Sequence, residues 1–197
     1  MTPTSVERGQ ETRARLLAAA GQLIVEEGWG AVTTRKIAAR ADVRAGLVHY
    51  HFGTVTDLLI EASLETVERE VGIVMAMLDQ APPGLQGVEL AVAGMAQYSA
   101  DPAATVLTSE MLLAATRNER LRTGLATLQG KWVQAVARWL ADHGLTTDPE
   151  PTALALGALL DGLVLHRLVD PQLAVPVDGP LRRLIGLPEA ADRPATP

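Results

Sequence analysis

The chain has 197 residues, 48% of them hydrophobic, which is enough for one or two domains with a sizeable core and too apolar for a disordered chain. It has no Cys and only 3% aromatics, which excludes a disulfide scaffold, a thiolate metal site and a cysteine nucleophile. The net charge of −6 is unevenly spread: through Gly53 the chain carries +2, and beyond it −8. A small basic head therefore precedes an acidic body.

Charges in Glu7 and Arg8 stand where an export signal needs an apolar core. The longest uncharged apolar stretch, Ala153 to Leu160, is broken by Asp161 and is far shorter than the ~20 residues of a membrane helix. A soluble, cytoplasmic chain with no membrane partner is the expectation.

Apolar positions recur at helical spacing, and no stretch alternates with period two long enough for a strand, so the chain reads as all-α with about nine helices. The first runs from Gln10 to Glu27, with Leu16, Leu17, Ala20, Leu23 and Ile24 on one face and Gly28 as its stop. Two short pieces follow, Thr34 to Arg40 and Arg44 to Phe52, too short to stand alone. A long helix from Thr54 to Gln80 opens on a capping-box-like Thr54 and Asp57 and ends at Pro82-Pro83-Gly84. Further segments fall at 85–99, 102–116, 119–143, 151–170 and 179–186, and the proline-rich residues 188–197 read as a flexible tail.

Thr33 to Phe52 has the pattern of a helix-turn-helix. Ile37, Ala38 and Ala41 fall on the inner face of the first short helix, Val43 plugs the turn, and Val48 and Phe52 hold the second. Arg35, Lys36, Arg40, Arg44, His49, Tyr50 and His51 remain outward, with Asp42 the only acid. A helix of this size and polarity fits the major groove of B-DNA. Thr33 is a candidate N-cap, which puts Lys36 where the helix dipole favours an acid; a bound phosphate would reverse that preference.

These residues, with Gly28-Trp29, Gly46, His51-Phe52 and Asp57-Leu58-Leu59, resemble the DNA-binding domain of TetR-family transcriptional regulators over the first ~60 residues. Leu160-Asp161-Gly162-Leu163 and the closing helix resemble the family's C-terminal domains. The resemblance and the outward positions together assign Thr33, Lys36, His49 and His51 to phosphate, and Arg44, Ala45, Leu47 and Tyr50 to base edges, with Gly46 allowing close approach. The chain departs from the family pattern at Asp42 (usually Gly), Arg44 (Ser or Thr), Ala45 (a basic reader), His49 (Tyr) and Val55 (Lys). The division implied is a DNA-binding domain at 1–53 and an effector-binding and dimerisation domain at 54–187.

A single such motif binds weakly, so a homodimer on a near-palindromic double-stranded operator is expected. Leucines surround most of the segment from Thr152 to Val169, more than one core can cover. Leu159, Leu163 and His166, with Leu181, Leu184 and Ile185, are the candidate interface. Met75, Met95, Tyr98, Met111, Trp132 and Trp139 are the candidate lining of a pocket, which the resemblance implies would take a small, largely apolar effector. No phosphate loop, nucleophile motif or metal-spaced histidine cluster is present, and the sequence calls for neither enzyme activity, metal nor cofactor. The expected function is an operator-binding regulator, a repressor released by its effector. The alternative is a helical protein–protein adaptor with weakened or lost DNA binding.

Overall fold

The computed structural model describes residues 4–82, 86–87, 90–91, 93–94, 102–170, 172 and 178–185. Among them are eight α-helices and no strand: α1 (Ser5–Glu27), α2 (Thr34–Arg40), α3 (Gly46–Phe52), α4 (Val55–Gln80), α5 (Pro102–Ala115), α6 (Glu119–Asp142), α7 (Pro149–Val169) and α8 (Asp178–Leu184). The all-α expectation holds. Of the segment expected at 85–99, the described residues 86–87, 90–91 and 93–94 are helical. The tail expected at 188–197 lies outside the described residues.

The chain divides into two compact units, residues 1–70 with 106–127, and 71–105 with 128–197. The first holds α1 to α3 and the N-terminal part of α4. α1 begins earlier than its apolar period shows, because Thr4 and Glu7 form a reciprocal capping box: Thr4 Oγ1 accepts from the Glu7 amide at 3.2 Å and Glu7 Oε2 from the Thr4 amide. That backbone hydrogen bond, then the hydroxyl, holds the Glu7 carboxyl below its ordinary pKa, so its contribution is present above the ordinary carboxylate range and is lost as pH falls through the lowered value. Gly28 ends the helix at φ 84°, and a 3₁₀ turn at Trp29–Ala31 leads to α2.

α2 and α3 have seven residues each, below the length at which a helix persists in water. Tertiary burial holds them. Ile37, Ala38, Val48 and Phe52 sink into one cluster with Leu16, Leu17, Ala20, Leu23 and Ile24 of α1 and Leu58 of α4. Each fully buried Leu, Ile or Val contributes roughly 1.5–3 kcal/mol. The turn between α2 and α3 is closed by Arg15, whose Nη2 donates to the carbonyls of Ala41 and, at 3.0 Å, Asp42. Asp42 itself stands at φ 51°, the one non-glycine in the left-handed region among the described residues. Asp tolerates that conformation better than most side chains.

In the second unit, the C-terminal parts of α4 and α6 pack with α7 and α8 around Leu78, Val136, Leu140, Leu156, Leu160 and Leu181. Gly157 on α7 admits the Trp132 ring of α6, since a Cβ there would stand 3.0 Å from it. α7 continues unbroken through Asp161, so its 21 residues are long and apolar enough to cross a membrane by length and composition, which the interrupted apolar stretch does not show. The same helix lies partly in the core of this unit.

The turn makes a specific prediction. Asp42→Val, which places a β-branched side chain at positive φ, should cost about 1–2 kcal/mol in urea denaturation, whereas Asp42→Gly should cost nothing. Equal losses would show that the left-handed backbone is not what constrains this position.

Candidate nucleic-acid interface

The surface opposite the first unit's core is built by α2, the turn and α3. Thr33 caps α2, its hydroxyl accepting from the Lys36 amide at 3.4 Å, as the sequence pattern requires. The turn ends with the Val43 amide on the Ala38 carbonyl at 2.9 Å, and α3 enters through Leu47 on Arg44 and Val48 on Ala45. Because Val48 and Phe52 are buried, helical spacing turns the rest of α3 outward. Arg44, Ala45, Gly46, His49 and Tyr50 are exposed, Leu47 and His51 are half-buried, and Tyr50 stands out at 82% exposure. Eight of the nine residues assigned to DNA thus fall between Lys36 and His51, and the ninth, Thr33, caps the same motif.

The rings are ordered by local contacts. His49 Nδ1 lies 2.8 Å from the Gly53 carbonyl. That nitrogen must carry the proton, which leaves Nε2 as an acceptor unless the ring is doubly protonated. Tyr50 and His51 meet edge to face with centroids 5.1 Å apart. Behind them the Arg13 guanidinium lies 5.2 Å from the Phe52 ring centre and pairs with Glu61 of α4, fixing the base of α3.

The cations divide into two classes. Lys36 donates to Glu27 at 2.5 Å and to the Ala31 carbonyl at 2.9 Å, and Arg40 makes a two-pronged pair with Glu26, at 2.9 and 2.5 Å. The Arg40 hydrogen bond holds the Glu26 carboxyl below its ordinary range. The unfavourable place of Lys36 at the start of α2 is therefore met within the chain, by Glu27. Arg35 and Arg44 have no ion pair among the described residues. The partners Glu26 and Glu27 carry no signal in the sequence, because nine to fourteen residues separate each from its cation and only the packing of α2 on α1 closes the gap.

Two more anchors were not legible. Glu110 of α5 accepts the Trp29 amide at 2.7 Å, and Arg120 of α6 donates to Asp57 at 2.6 Å. Asp57 also completes the expected cap of α4, its amide donating to Thr54 Oγ1 at 3.0 Å. Val55, where the resemblance leads one to expect Lys, packs against the core.

The candidate effector residues scatter. Trp132 and Trp139 meet in the core of the second unit, whereas Met111 is buried in the core of the first and Met75 is 40% exposed. Met95 and Tyr98 lie outside the described residues. Trp139 lines an apolar cavity with Ala91, Val136, Leu140, Leu156, Leu181 and Ile185, enclosing about 10 Å³, the room of one water. Its indole Nε1 is buried without a hydrogen-bond partner, and the ring stacks on His143 at 4.4 Å. Of the candidate interface, Leu163, Leu181 and Ile185 are buried and Leu159 half-buried in that core, whereas His166 and Leu184 are exposed.

Comparison with known proteins bears on the whole chain. Residues 16–62 match the family model described as bacterial regulatory proteins, tetR family, and residues 86–187 that described as tetracyclin repressor-like, C-terminal domain. An uncharacterized HTH-type transcriptional regulator of Mycobacterium tuberculosis is 28% identical over 179 residues, 87% of this chain and 90% of its own. The crystal structure of a transcriptional regulator of Streptomyces coelicolor A3(2) is 31% identical, covers 89% of this chain and 98% of its own, and superposes with a TM-score of 0.70. A regulator of Saccharomonospora viridis solved in complex with choline is 21% identical over 89% of this chain and 94% of its own, with a TM-score of 0.73, and shares the fold. With both halves matched and a helix-turn-helix displayed on the first, the chain belongs to the TetR family of transcriptional regulators.

Proposed function

We propose that the protein is a dimeric repressor that binds a near-palindromic operator through residues 1–53 and is released by a small, largely apolar effector held within residues 54–187. The observation that carries the DNA reading is the exposed face of α3, where Arg44, Ala45, Gly46, His49 and Tyr50 stand clear of a core that fixes the helix from behind. Regulators of this family bind DNA operators, form dimers and bind small-molecule effectors. In this reading Arg44, Ala45, Leu47 and Tyr50 meet base edges, while Thr33, Lys36 and His51 meet phosphate, and His49 does so as the doubly protonated ring, since its Nδ1–H is taken by Gly53 and only an Nε2–H can donate to phosphate. Lys36 exchanges Glu27 for a phosphate on binding, because an exposed pair of that kind is worth at most ~1 kcal/mol.

The apolar walls around Trp139 support an uncharged effector, and its unpartnered indole N–H supports one that carries a hydrogen-bond acceptor. Since the cavity has room for one water, the effector must open the packing of α6 to α8, which is the conformational work that its binding does. α4 and α6 run without a break from one unit into the other and are the natural levers. The leucine-rich α7 is then an interface helix in a cytoplasmic regulator, not a membrane span.

Fluorescence anisotropy with duplex from the promoter of its own gene, at stated salt, tests this reading. Arg44→Ala should lose about 1–3 kcal/mol on the operator and little on random DNA, whereas Lys36→Ala should weaken both about equally. No preference for any promoter duplex over random sequence would favour an adaptor that has lost DNA binding. Glu27→Gln, which frees Lys36, should tighten random duplex and steepen the salt dependence by about one phosphate contact; an unchanged slope would show that Lys36 stays off the backbone.

A further inference from the structure

α7 buries one face and leaves another bare. Ala153, Leu156, Leu160 and Leu163 are in the core, whereas Leu154, Ala158, Asp161, Leu165 and Leu168 are all exposed. Their spacing of four, three, four and three is the seam of a helix that pairs with another helix, and it spans about 21 Å. Four positions are apolar and the central one is an acid. We propose that this seam docks on the same seam of a second copy of the chain, with Asp161 facing its own counterpart, so that one carboxylate pair sets the register of the dimer and ties its strength to pH.

The proposal rests on the dimeric reading above and adds the residue that controls it. A two-fold contact matches a surface with itself. If the helices run antiparallel about the centre of the seam, its midpoint meets its own copy; if they run parallel in register, every residue does. Either sense brings the two Asp161 side chains together. The extent of apolar surface points to a second copy as occupant: Leu154, Leu165, Leu168, Val169 and Leu184 are 42–87% exposed. Together they bare on the order of 400 Å², about half of one partner's share in a standard interface, and because two apolar positions flank Asp161 on each side the seam is complementary to itself, as a second copy requires.

Asp161 makes no hydrogen bond or ion pair among the described residues, and although the residue stays exposed to solvent, partial desolvation of its carboxyl pushes it above the ordinary carboxylate value. The charged and titratable groups on the described residues of the same unit are Asp79 of α4, Lys131, Arg138 and Asp142 of α6 with His143 just beyond it, Asp148 ahead of α7, Glu150, His166 and Arg167 on α7 with Asp170 at its end, and Asp178, Arg182 and Arg183 of α8. None of them contributes to the shift of Asp161, whose cause is desolvation alone. A second carboxylate at the seam disfavours double ionisation further. The separate chain already holds the raised value and pairing raises it further, so the dimer takes up a proton that separate chains do not hold, and association tightens as pH falls from the value of the paired seam toward that of the separate chain. A seam slipped by one heptad would set a lone carboxylate against Leu154 or Leu168, which is costlier than the matched pair sharing a proton.

Sedimentation equilibrium of the full-length protein between about pH 7.5 and pH 5.5 tests this. The wild-type dimer should tighten by about tenfold or more on acidification, and Asp161→Asn should be tighter than wild type at the upper pH and flat across the range. Asp161→Leu, which completes the apolar seam, should dimerise at least as tightly as Asp161→Asn, and His166→Gln should keep the wild-type pH dependence. A dimer whose affinity is the same in wild type and Asp161→Asn, or a pH dependence that survives in Asp161→Asn, overturns the role of Asp161 and leaves the dimer standing. A wild-type monomer at every pH and concentration overturns the dimeric reading itself.

Discussion

Two seven-residue helices that cannot fold by themselves must nevertheless hold a groove-sized surface in fixed geometry, and the rest of the first unit answers that constraint. α1 supplies the platform of Leu16, Leu17, Ala20, Leu23 and Ile24, and α2 and α3 return Ile37, Ala38, Val48 and Phe52 to it. Burial of those four side chains dictates which residues face outward, so the core of the head and its reading surface are two sides of one pattern. The Arg15 clasp on the turn and the Arg13 clasp under Phe52 belong to the same solution, since both anchor α2 and α3 from outside their own length.

The fold was legible because it rests on period and punctuation. The cap at Thr33, the cap at Thr54 with Asp57, the stop at Gly28 and the leucines of α1 act locally, and each is found where its spacing places it. α1 starts at Ser5, ahead of its apolar period, because the Thr4 and Glu7 cap that opens it lies outside that period. What sequence does not carry is pairing at a distance. Glu27 with Lys36, Glu110 with the Trp29 amide and Arg120 with Asp57 depend on how helices cross, and no local pattern announces them. Burial in the second unit shows the same limit: the leucines of α7 look alike in sequence, and only packing separates the core set from the bare seam.

The charge distribution acquires a physical sense from these contacts. The basic head is partly self-neutralised by Glu26 and Glu27, which leaves Arg35 and Arg44 as cations with no ion pair among the described residues of the motif. In the proposed reading, weak exposed pairs give way where a phosphate is correctly placed and persist where it is not, and the acidic body disfavours DNA elsewhere. On that reading, selectivity of orientation comes from the balance between the two, with little demand on total charge.

The central claim is that two copies of this chain present two α3 helices to one two-fold DNA site. Native mass spectrometry or sedimentation velocity of the protein with a palindromic promoter duplex measures this directly. The account predicts two chains per duplex, and a half-site duplex bound far more weakly. One chain per duplex, with equal affinity for the half-site, would contradict it.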